Sequence, residues 1–279
     1  KGEEALIKNI NRSINISGIN IHYEYYPHPK RKETIVLIHG FLSSTFSFRK
    51  LIPRLKQHFA IIAIDLPPFG KSEKTTKFVY SYHNLARLVI ELLNRLHIRQ
   101  SIIIGHSMGG QISLYAAKQR PDLFEKIVLI CSSAYMKRLP SPLIYCSYLP
   151  YFYLYVKRHF AKQGVWQILC SVVHDQSLIN EEMMEGYIKP FYDDQIFRAL
   201  TRMIRDREGD LAQAELKSIE IPSLLVWGEE DKVVPIEIGY RLQKDLPLSR
   251  FISLRKTGHL VPEERPDQVS DYIFDFCFS

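Results

Sequence analysis

Eight residues in the middle of the chain constrain its fold most: residues 102–109 read Ile-Ile-Ile-Gly-His-Ser-Met-Gly. The β-branched residues predict a buried strand that ends at Gly105, and a run compatible with a helix begins after Gly109. The pattern G-x-S-x-G between a strand and a helix is typical of a nucleophile elbow, in which glycines permit a turn too tight for side chains. Ser107 is therefore the candidate nucleophile, although a glycine-rich turn that merely contains a serine gives the same pattern.

The partners that a nucleophilic serine needs occur later in the chain, in the order acid and then histidine. The apolar run 222–227 predicts a strand, and Asp231 lies in the loop after it. The run 250–254 predicts a further strand, and His259 closes the segment that follows it. Because each residue follows a separate strand, we expect Ser107, Asp231 and His259 to converge as a catalytic triad.

Several residues compete for these roles. Glu229 and Glu230 share the loop with Asp231, and either could be the acid instead. His106 is next to Ser107, but neighbouring side chains on a sharp turn point apart, so we interpret it as a packing residue. His39 follows a strand and is expected to hold its own loop by hydrogen bonds. No set of His, Cys, Asp and Glu shows metal-ligand spacing, so we expect no metal and no cofactor.

The loop 39–43, His-Gly-Phe-Leu-Ser, follows the strand predicted over residues 34–38. Attack of a serine on a carbonyl carbon creates an oxyanion, which preorganised N–H groups must stabilise. In sites built on a nucleophile elbow, one N–H comes from the residue after the nucleophile, and the other comes from a loop that follows an earlier strand, such as this one. We therefore expect the backbone N–H groups of Phe41 and Met108 to form the oxyanion hole, unless the loop is only a turn that ends a strand.

Strand and helix patterns alternate along most of the chain. Residues 13–25 predict an opening hairpin. Strands are then predicted near 34–39, 59–64, 101–105, 126–131, 222–227 and 250–254, and helices near 47–57, 81–97, 108–119, 236–245 and 265–278. Strands this apolar, separated by helices, indicate an α/β fold with a parallel sheet covered on both faces.

The alternation stops between residues 136 and 215, which have helical character. We interpret this segment as a helical cap inserted between two parts of the core, residues 1–135 and 216–279. Its first part, residues 139–156, is uncharged, rich in aromatics and flanked by basic pairs. Prolines interrupt it, which argues against a membrane span. Its aromatic residues either roof an apolar pocket, the interpretation we favour, or make weak contact with a membrane surface.

These motifs resemble the α/β-hydrolase family over nearly the full chain. The matching residues are His39-Gly-Phe41, Asp65 after residues 61–64, the elbow 105–109, Trp227-Gly-x-x-Asp231 and Gly258-His259. The chain is most similar to cap-bearing serine esterases and to C–C bond hydrolases that act on ring-cleavage products. The resemblance implies a mostly parallel central sheet with an inserted cap. One departure is Pro68, where such enzymes often have glycine; Asp65 itself we interpret as structural.

A serine carboxylesterase is the function that these residues favour, acting through an acyl-enzyme on esters with an apolar acyl or alcohol group of small to medium size. We expect no nucleic-acid partner, because the basic residues behind the net charge of +7 are scattered. The four cysteines are widely spaced, as expected of free thiols in the cytoplasm. Both a monomer and a homodimer stay open. The expected pocket residues are Phe41, His106, Tyr148, Phe152, Tyr187 and Leu260.

Two alternatives use the same residues. A C–C bond hydrolase tends to have Trp after the base, where this chain has Leu260, and a cap arginine near the position of Tyr187. Both departures count against this alternative, although Arg198 or Arg202 could substitute. The other alternative is a ligand sensor of the same fold with little turnover. Because sensors often lose a triad member, the intact set of residues argues for an enzyme.

Overall fold

Eight strands form one sheet in the computed structural model, which describes residues 10–30 and 33–279 and, of residue 163, the backbone alone. The strands are β1 (Asn11–Ile16), β2 (Ile19–Tyr26), β3 (Thr34–Ile38), β4 (Ala60–Ile64), β5 (Ser101–His106), β6 (Phe124–Ile130), β7 (Ser223–Gly228) and β8 (Ser249–Leu254). Their order is β1-β2-β4-β3-β5-β6-β7-β8; β1 and β2 are antiparallel, and β3 to β8 run parallel. The hairpin and the parallel sheet predicted from the sequence are confirmed.

The parallel strands are apolar because helices cover both faces of the sheet. Every residue of β3, β4, β5 and β7 is buried, as continuous apolar runs of this kind predict. Among the covering helices, α2 packs against α3, and α1 packs against α12. In the sheet, β4 lies on one side of β3 and β5 on the other. Because crossovers between parallel strands are right-handed, the reversal of direction places the two helix pairs on opposite faces of the sheet.

Twelve α-helices occur in the described part of the chain. They are α1 (Ile52–Leu55), α2 (Tyr82–Arg95), α3 (Met108–Gln119), α4 (Ser141–Cys146), α5 (Phe152–Gln163), α6 (Val165–Val172), α7 (Glu181–Ile188), α8 (Gln195–Asp206), α9 (Gln213–Lys217), α10 (Ile236–Asp245), α11 (Val261–Glu264) and α12 (Pro266–Phe278). The helix predicted over 47–57 is instead a 3-10 turn, Thr45–Phe48, followed by the short α1. Pro53 lies in the first turn of α1, where the backbone N–H that proline lacks would have no partner within the helix. In the interior of a longer helix over 47–57, the same residue would remove a hydrogen bond.

Helices α4 to α9 lie between β6 and β7, within the segment predicted as the cap. Its division from the core as a separate domain stays a prediction. In the described residues, no helix combines the length and the apolarity that crossing a bilayer requires. Helix α8 is strongly amphipathic: its buried residues include Ile196, Leu200 and Met203, while Arg198 and Arg202 contact other surface groups.

The reversal of strand order fixes where a site can form. Strand β3 pairs with both β4 and β5, so the loops after β3 and β5 emerge side by side at the carboxyl edge of the sheet. Ile38 pairs with Gly105, which brings the loop after Ile38 next to Ser107. A crevice at such a switch point is the usual ligand site of open α/β sheets.

Candidate active site

Ser107 lies in the turn between β5 and α3, with backbone angles φ 54° and ψ −122° that few residues other than glycine adopt. The glycines on either side leave no room for side chains. A Cβ atom on Gly105 would lie 2.4 Å from the Gly109 carbonyl oxygen, and one on Gly109 would lie 2.2 Å from the Ile38 carbonyl oxygen. The strained turn therefore holds Ser107 at the amino end of α3, where free N–H groups favour negative charge.

Asp231 and His259, in the loops after β7 and β8, are in direct contact at the carboxyl edge of the sheet. Asp231 Oδ2 lies 2.7 Å from His259 Nδ1, and both side chains are buried. The other carboxylate oxygen accepts hydrogen bonds from the N–H groups of Val233 and Val234, at 2.8 and 2.9 Å. A neutral imidazole in this contact carries its proton on Nδ1 and keeps a lone pair on Nε2, as a general base requires.

Electrostatics keep the Asp231 carboxyl ionised. Burial acts to raise the pKa of Asp231, but the hydrogen bond and positive charge of His259, together with the Val234 amide, outweigh it. The pKa of this carboxyl therefore lies below its ordinary value. An ionised acid at this position orients the imidazole and stabilises its protonated form.

The three acidic residues of the 229–231 loop have different partners. Glu229 Oε1 accepts a hydrogen bond from Ser253 Oγ at 2.8 Å. Glu230 Oε2 accepts one from the Thr257 amide at 2.8 Å. Asp231 is the member of the loop that contacts the imidazole of His259. The two glutamates support the neighbouring loop, so the geometry favours Asp231 as the acid.

His106 supports the backbone of His259. Its Nε2–H donates a hydrogen bond to the His259 carbonyl oxygen at 2.8 Å, and the two ring centroids are 4.9 Å apart. Burial, followed by the nearby His259, lowers the pKa of His106 to about 3, so this ring stays neutral. The His259 amide in turn donates to the Val172 carbonyl oxygen at 2.7 Å, which connects the imidazole to the inserted segment.

The loop after β3 lies against the elbow. A Cβ atom on Gly40 would lie 3.0 Å from the Ser107 Cβ. His39 holds this loop as expected: its Nδ1–H donates to the Gly40 carbonyl oxygen at 2.7 Å, and its Nε2 accepts from the Leu66 amide at 2.9 Å. Among the described residues, the N–H groups of Phe41 and Met108 donate no hydrogen bond to a protein acceptor. Both are thus free to bind an oxyanion.

The Asp65 carboxylate holds the next loop together. It accepts hydrogen bonds from the amides of Thr45 and Lys71, at 2.7 and 2.8 Å, and contacts His22 Nδ1 at 3.0 Å. Gly70 has φ +55°, and a Cβ atom there would lie 2.2 Å from the Asp65 Cγ. With its oxygens engaged in this way, Asp65 has the structural role proposed for it.

Two cavities meet at Ser107. The larger, of about 490 Å³, is mostly apolar and is covered by α4, α5 and α8. The smaller, of about 200 Å³, lies under α6 and α7. Ser107, Phe41 and Val233 line both cavities, whereas His259 lines the smaller one. A substrate whose reacting carbon lies at Ser107 can therefore extend in two directions.

Comparisons with known proteins identify the family of this chain. The family model described as alpha/beta hydrolase fold matches residues 33–266. The chain belongs to the α/β-hydrolase family. It is 57% identical over 265 residues to an uncharacterized hydrolase, YugF, of Bacillus subtilis (strain 168), covering 95% of this chain and 97% of that protein.

Solved structures of other α/β hydrolases share this fold. A 2-hydroxy-6-oxo-6-phenylhexa-2,4-dienoate hydrolase from Rhodococcus sp. strain RHA1 has a TM-score of 0.81 at 22% identity, covering 97% of this chain and 99% of that one. A thermophilic esterase from Thermogutta terrifontis has a TM-score of 0.79 at 20% identity, covering 96% and 98%. At these identities the likeness establishes the fold alone.

Five of the six expected pocket residues of this α/β hydrolase line the two cavities. Phe41 lines both, Phe152 lines the larger, and the smaller is lined by His106, Tyr187 and Leu260. Tyr148 requires a correction, because it lines neither cavity. Its side chain is 64% exposed, and the guanidinium of Arg205 lies 4.4 Å from its ring centroid. It follows the end of α4, on the outer side of the inserted segment.

Cys131, at the end of β6, was not singled out from the sequence. Its thiol and the facing atoms of Asp231 and His259 lie within 4.8 Å of one another. Burial raises the pKa of Cys131 well above its ordinary value, so the thiol keeps its proton and donates a hydrogen bond to Asp231. Cys131 and His259 therefore both form hydrogen bonds with the Asp231 carboxylate. The sequence feature that could have identified Cys131 is its position directly after a core strand.

Proposed function

We propose that this hydrolase cleaves carboxylic esters with Ser107 as its nucleophile. The observation that carries the proposal is the 2.7 Å contact between Asp231 and His259, beside a cavity that both His259 and Ser107 line. The strained backbone of Ser107 and the buried, ionised Asp231 support it further. These are the parts that convert a weak alcohol into a nucleophile.

In the first half of the reaction, His259 Nε2 takes the proton from Ser107 Oγ as the oxygen attacks the ester carbonyl carbon. The carbonyl oxygen becomes an oxyanion, which the free N–H groups of Phe41 and Met108 bind. The imidazolium then gives its proton to the leaving alcohol oxygen, and an acyl ester of Ser107 is left. Asp231 stays ionised and stabilises the imidazolium by its hydrogen bond.

In the second half, His259 deprotonates a water molecule, which attacks the acyl-enzyme. A second oxyanion forms in the same hole and collapses, which releases the carboxylic acid and returns the proton to Ser107. The balance is one ester and one water consumed for one acid and one alcohol. Every proton moves through His259 Nε2.

The positions of the two cavities support a placement for each half of the ester. The leaving oxygen must be within reach of His259, which lines the smaller cavity. The alcohol therefore occupies the cavity of about 200 Å³, and the acyl chain occupies the apolar cavity of about 490 Å³. Apolar lining favours a hydrocarbon acyl group, because transferring it from water gains free energy in proportion to its buried area.

Hydrolysis of p-nitrophenyl butyrate by the wild type and by Ser107→Ala tests the proposal. We expect multiple turnovers in the wild type and a loss of about 10³-fold or more in the variant. Ser171→Ala is a matched control, because Ser171 is exposed and Ser171 Oγ donates to the Ile168 carbonyl oxygen on the surface. Equal rates in Ser107→Ala and the wild type would remove the mechanism. Rapid labelling by a fluorophosphonate without turnover would favour the sensor alternative.

A second candidate, C–C bond hydrolysis, is favoured by one observation in the larger cavity. Arg207 lines this cavity, and its buried Nε has no hydrogen-bond partner among the described residues. A guanidinium placed in this way can bind a substrate carboxylate. The arginines suggested from the sequence are engaged elsewhere: Arg198 lies over the Tyr153 ring at 3.9 Å, and Arg202 contacts Asp206 at 2.8 Å.

Bleaching of a yellow ring-cleavage dienoate tests this candidate. If C–C hydrolysis is the function, the wild type bleaches the dienoate faster than it cleaves simple esters, and Arg207→Met raises KM for the dienoate. Arg198→Met, the matched control, leaves KM unchanged. If ester hydrolysis is the function, the dienoate stays yellow while p-nitrophenyl butyrate is consumed.

A further inference from the structure

Helices α4 and α5, with the turn between them, expose an unusually apolar surface. Large side chains protrude from it: Tyr145 is 74% exposed, Tyr148 64%, Leu149 61%, Tyr151 71% and Leu154 49%. Five such residues within ten positions form one patch, which we call the outer cap surface. Apolar patches of this kind mark contact with another macromolecule or with a membrane.

Helices α4 and α5 pack against the rest of the protein through other residues than those of the outer cap surface. Helices α4 and α5 both contact α8. Their inward side chains are already used, since Leu143, Phe152 and Val156 line the larger cavity. Of the exposed residues, Tyr145 and Leu154 lie on these helices, and Tyr148, Leu149 and Tyr151 lie in the turn between them. The described part of the chain leaves these five side chains exposed, which makes them available to a partner from outside.

Charge indicates the nature of this partner. Between Glu125 and Asp175 the sequence contains no acidic residue. The same stretch contains six basic residues, namely Lys126, Lys137, Arg138, Lys157, Arg158 and Lys162. Lys157 pairs with Asp194 at 2.6 Å, whereas Arg138, Arg158 and Lys162 are exposed on the segments that flank the patch in the chain. An apolar surface with a basic rim is complementary to a bilayer that carries anionic lipids.

The residue types match the same partner. Three of the five patch residues are tyrosines, whose rings are apolar and whose hydroxyl groups are polar. Tyrosine is enriched at the level of lipid headgroups for this reason. The short helices α4 and α5 can lie in the plane of an interface, although neither can cross a bilayer.

The larger cavity opens beside the outer cap surface. Met136 and Tyr155 line this cavity and are themselves 48% and 62% exposed, so they mark its mouth. Met136 precedes α4, and Tyr155 lies on α5 one residue after Leu154. A bilayer in contact with the patch would therefore lie next to the entrance of the apolar cavity.

We propose that the outer cap surface binds the surface of an anionic lipid bilayer. The aromatic and leucine side chains enter the headgroup region, and the basic rim contacts the lipid phosphates. This binding is independent of the ester chemistry proposed above, because no patch residue lines either cavity. It places the mouth of the larger cavity at the level of the headgroups.

Flotation with lipid vesicles tests the proposal. The full chain is mixed with vesicles of phosphatidylcholine alone or of phosphatidylcholine with phosphatidylglycerol. We expect binding to the anionic vesicles, weakened by added salt, and about tenfold less binding to the neutral ones. The double variant Leu149→Glu/Tyr151→Glu is expected to lose about tenfold or more of the binding, because it places charge in the patch.

The matched control is Tyr192→Glu/Tyr240→Glu. It adds the same two charges at exposed aromatic residues, 71% and 46% exposed, outside the patch. We expect this control to bind the vesicles like the wild type. Unchanged hydrolysis of soluble p-nitrophenyl butyrate by both variants would show that they fold.

Three results would overturn the proposal: no binding of the wild type to anionic vesicles, equal binding by both double variants, or binding to neutral vesicles alone. Sedimentation equilibrium adds a fourth. If the wild type forms a dimer that Leu149→Glu/Tyr151→Glu dissociates, and does not bind vesicles, the partner of the patch is a second copy of the chain.

Discussion

Glu264 Oε1 accepts a hydrogen bond from the Gly258 amide at 2.9 Å, one residue before His259. Its other oxygen, Oε2, accepts from the His174 amide at 3.0 Å. The carboxylate is buried, so one side chain joins the loop that carries the imidazole to the inserted segment. Sequence analysis did not identify Glu264, because nothing local distinguishes it from Glu263.

Glu264→Gln tests this link. A glutamine side chain can accept from one of the two amides, but its NH2 group faces the other, which leaves a buried N–H unsatisfied. We expect the free energy of unfolding to fall by about 1–3 kcal/mol and ester turnover to slow. Denaturant unfolding measures the first effect. The control Glu182→Gln, at an exposed carboxylate, should change neither quantity; an unchanged stability in Glu264→Gln would contradict the role.

Asp231→Asn tests the assignment of the acid. The amide keeps the shape of the carboxylate but holds the imidazole in the wrong tautomer and does not stabilise its charge. We expect kcat for p-nitrophenyl butyrate to fall by about 10³–10⁴-fold. Glu229→Gln, in the same loop and hydrogen-bonded to Ser253, should stay within a few-fold of the wild type. The reverse pattern would move the acid to Glu229.

The junction of the inserted segment with the core predicts a pH dependence of stability. Burial raises the pKa of Asp210 from 3.8 to about 6, while its Oδ2 accepts a hydrogen bond from the Met136 amide at 3.1 Å. Because the folded pKa exceeds the unfolded one, the contribution of Asp210 is most favourable below pH 4. It is lost as the pH rises through about 6.

Asp210→Asn removes this titration. The free energy of unfolding of the variant minus that of the wild type should therefore increase between pH 4 and pH 7, by an amount on the order of 1–2 kcal/mol after allowance for solvent screening. Thermal unfolding followed by circular dichroism at matched ionic strength measures this difference. A difference that stays flat across the range would show that Asp210 ionises normally.

The two-cavity assignment makes a specificity prediction. Leu139 lines the larger cavity and Ile168 the smaller, and both are partly exposed, so larger side chains can be accommodated. We expect Leu139→Trp to lower kcat/KM for p-nitrophenyl octanoate by about tenfold and to spare the acetate. Ile168→Trp should instead penalise esters of bulky alcohols. If Leu139→Trp impaired the alcohol series, the two halves of the ester would be exchanged.

Much of the fold followed from local patterns. Apolar runs predicted β3 to β8. The runs are continuous in β3, β4, β5 and β7, where every residue is buried, whereas the edge strand β8 is only partly buried. The helix predicted over 47–57 was wrong, since residues 45–48 form a 3-10 turn and α1 begins only at Ile52. The helical character predicted for residues 136–215 corresponds to six helices, α4 to α9.

Side-chain direction in loops was not accessible in this way. Asp231, Glu229 and Glu230 are adjacent in sequence, yet each has a different partner, because consecutive side chains of a turn point in different directions. Tyr148 was expected in the pocket and lies outside it, because an aromatic run gives no information on which side of a short helix faces inward. Tyr148 lies in the turn after α4, where its exposed ring contacts Arg205 of α8.

The sequence by itself determined the sheet, the elbow at Ser107 and the order of the candidate triad, since these depend on residue type and spacing along the chain. Only the tertiary structure decided that Asp231 contacts His259, that Cys131 and Glu264 support them, and that two cavities meet at Ser107. The physical reason is that hydrogen bonds are directional and short-ranged. Residues more than 100 positions apart, such as His106 and His259, meet through the arrangement of whole strands, which no local pattern encodes.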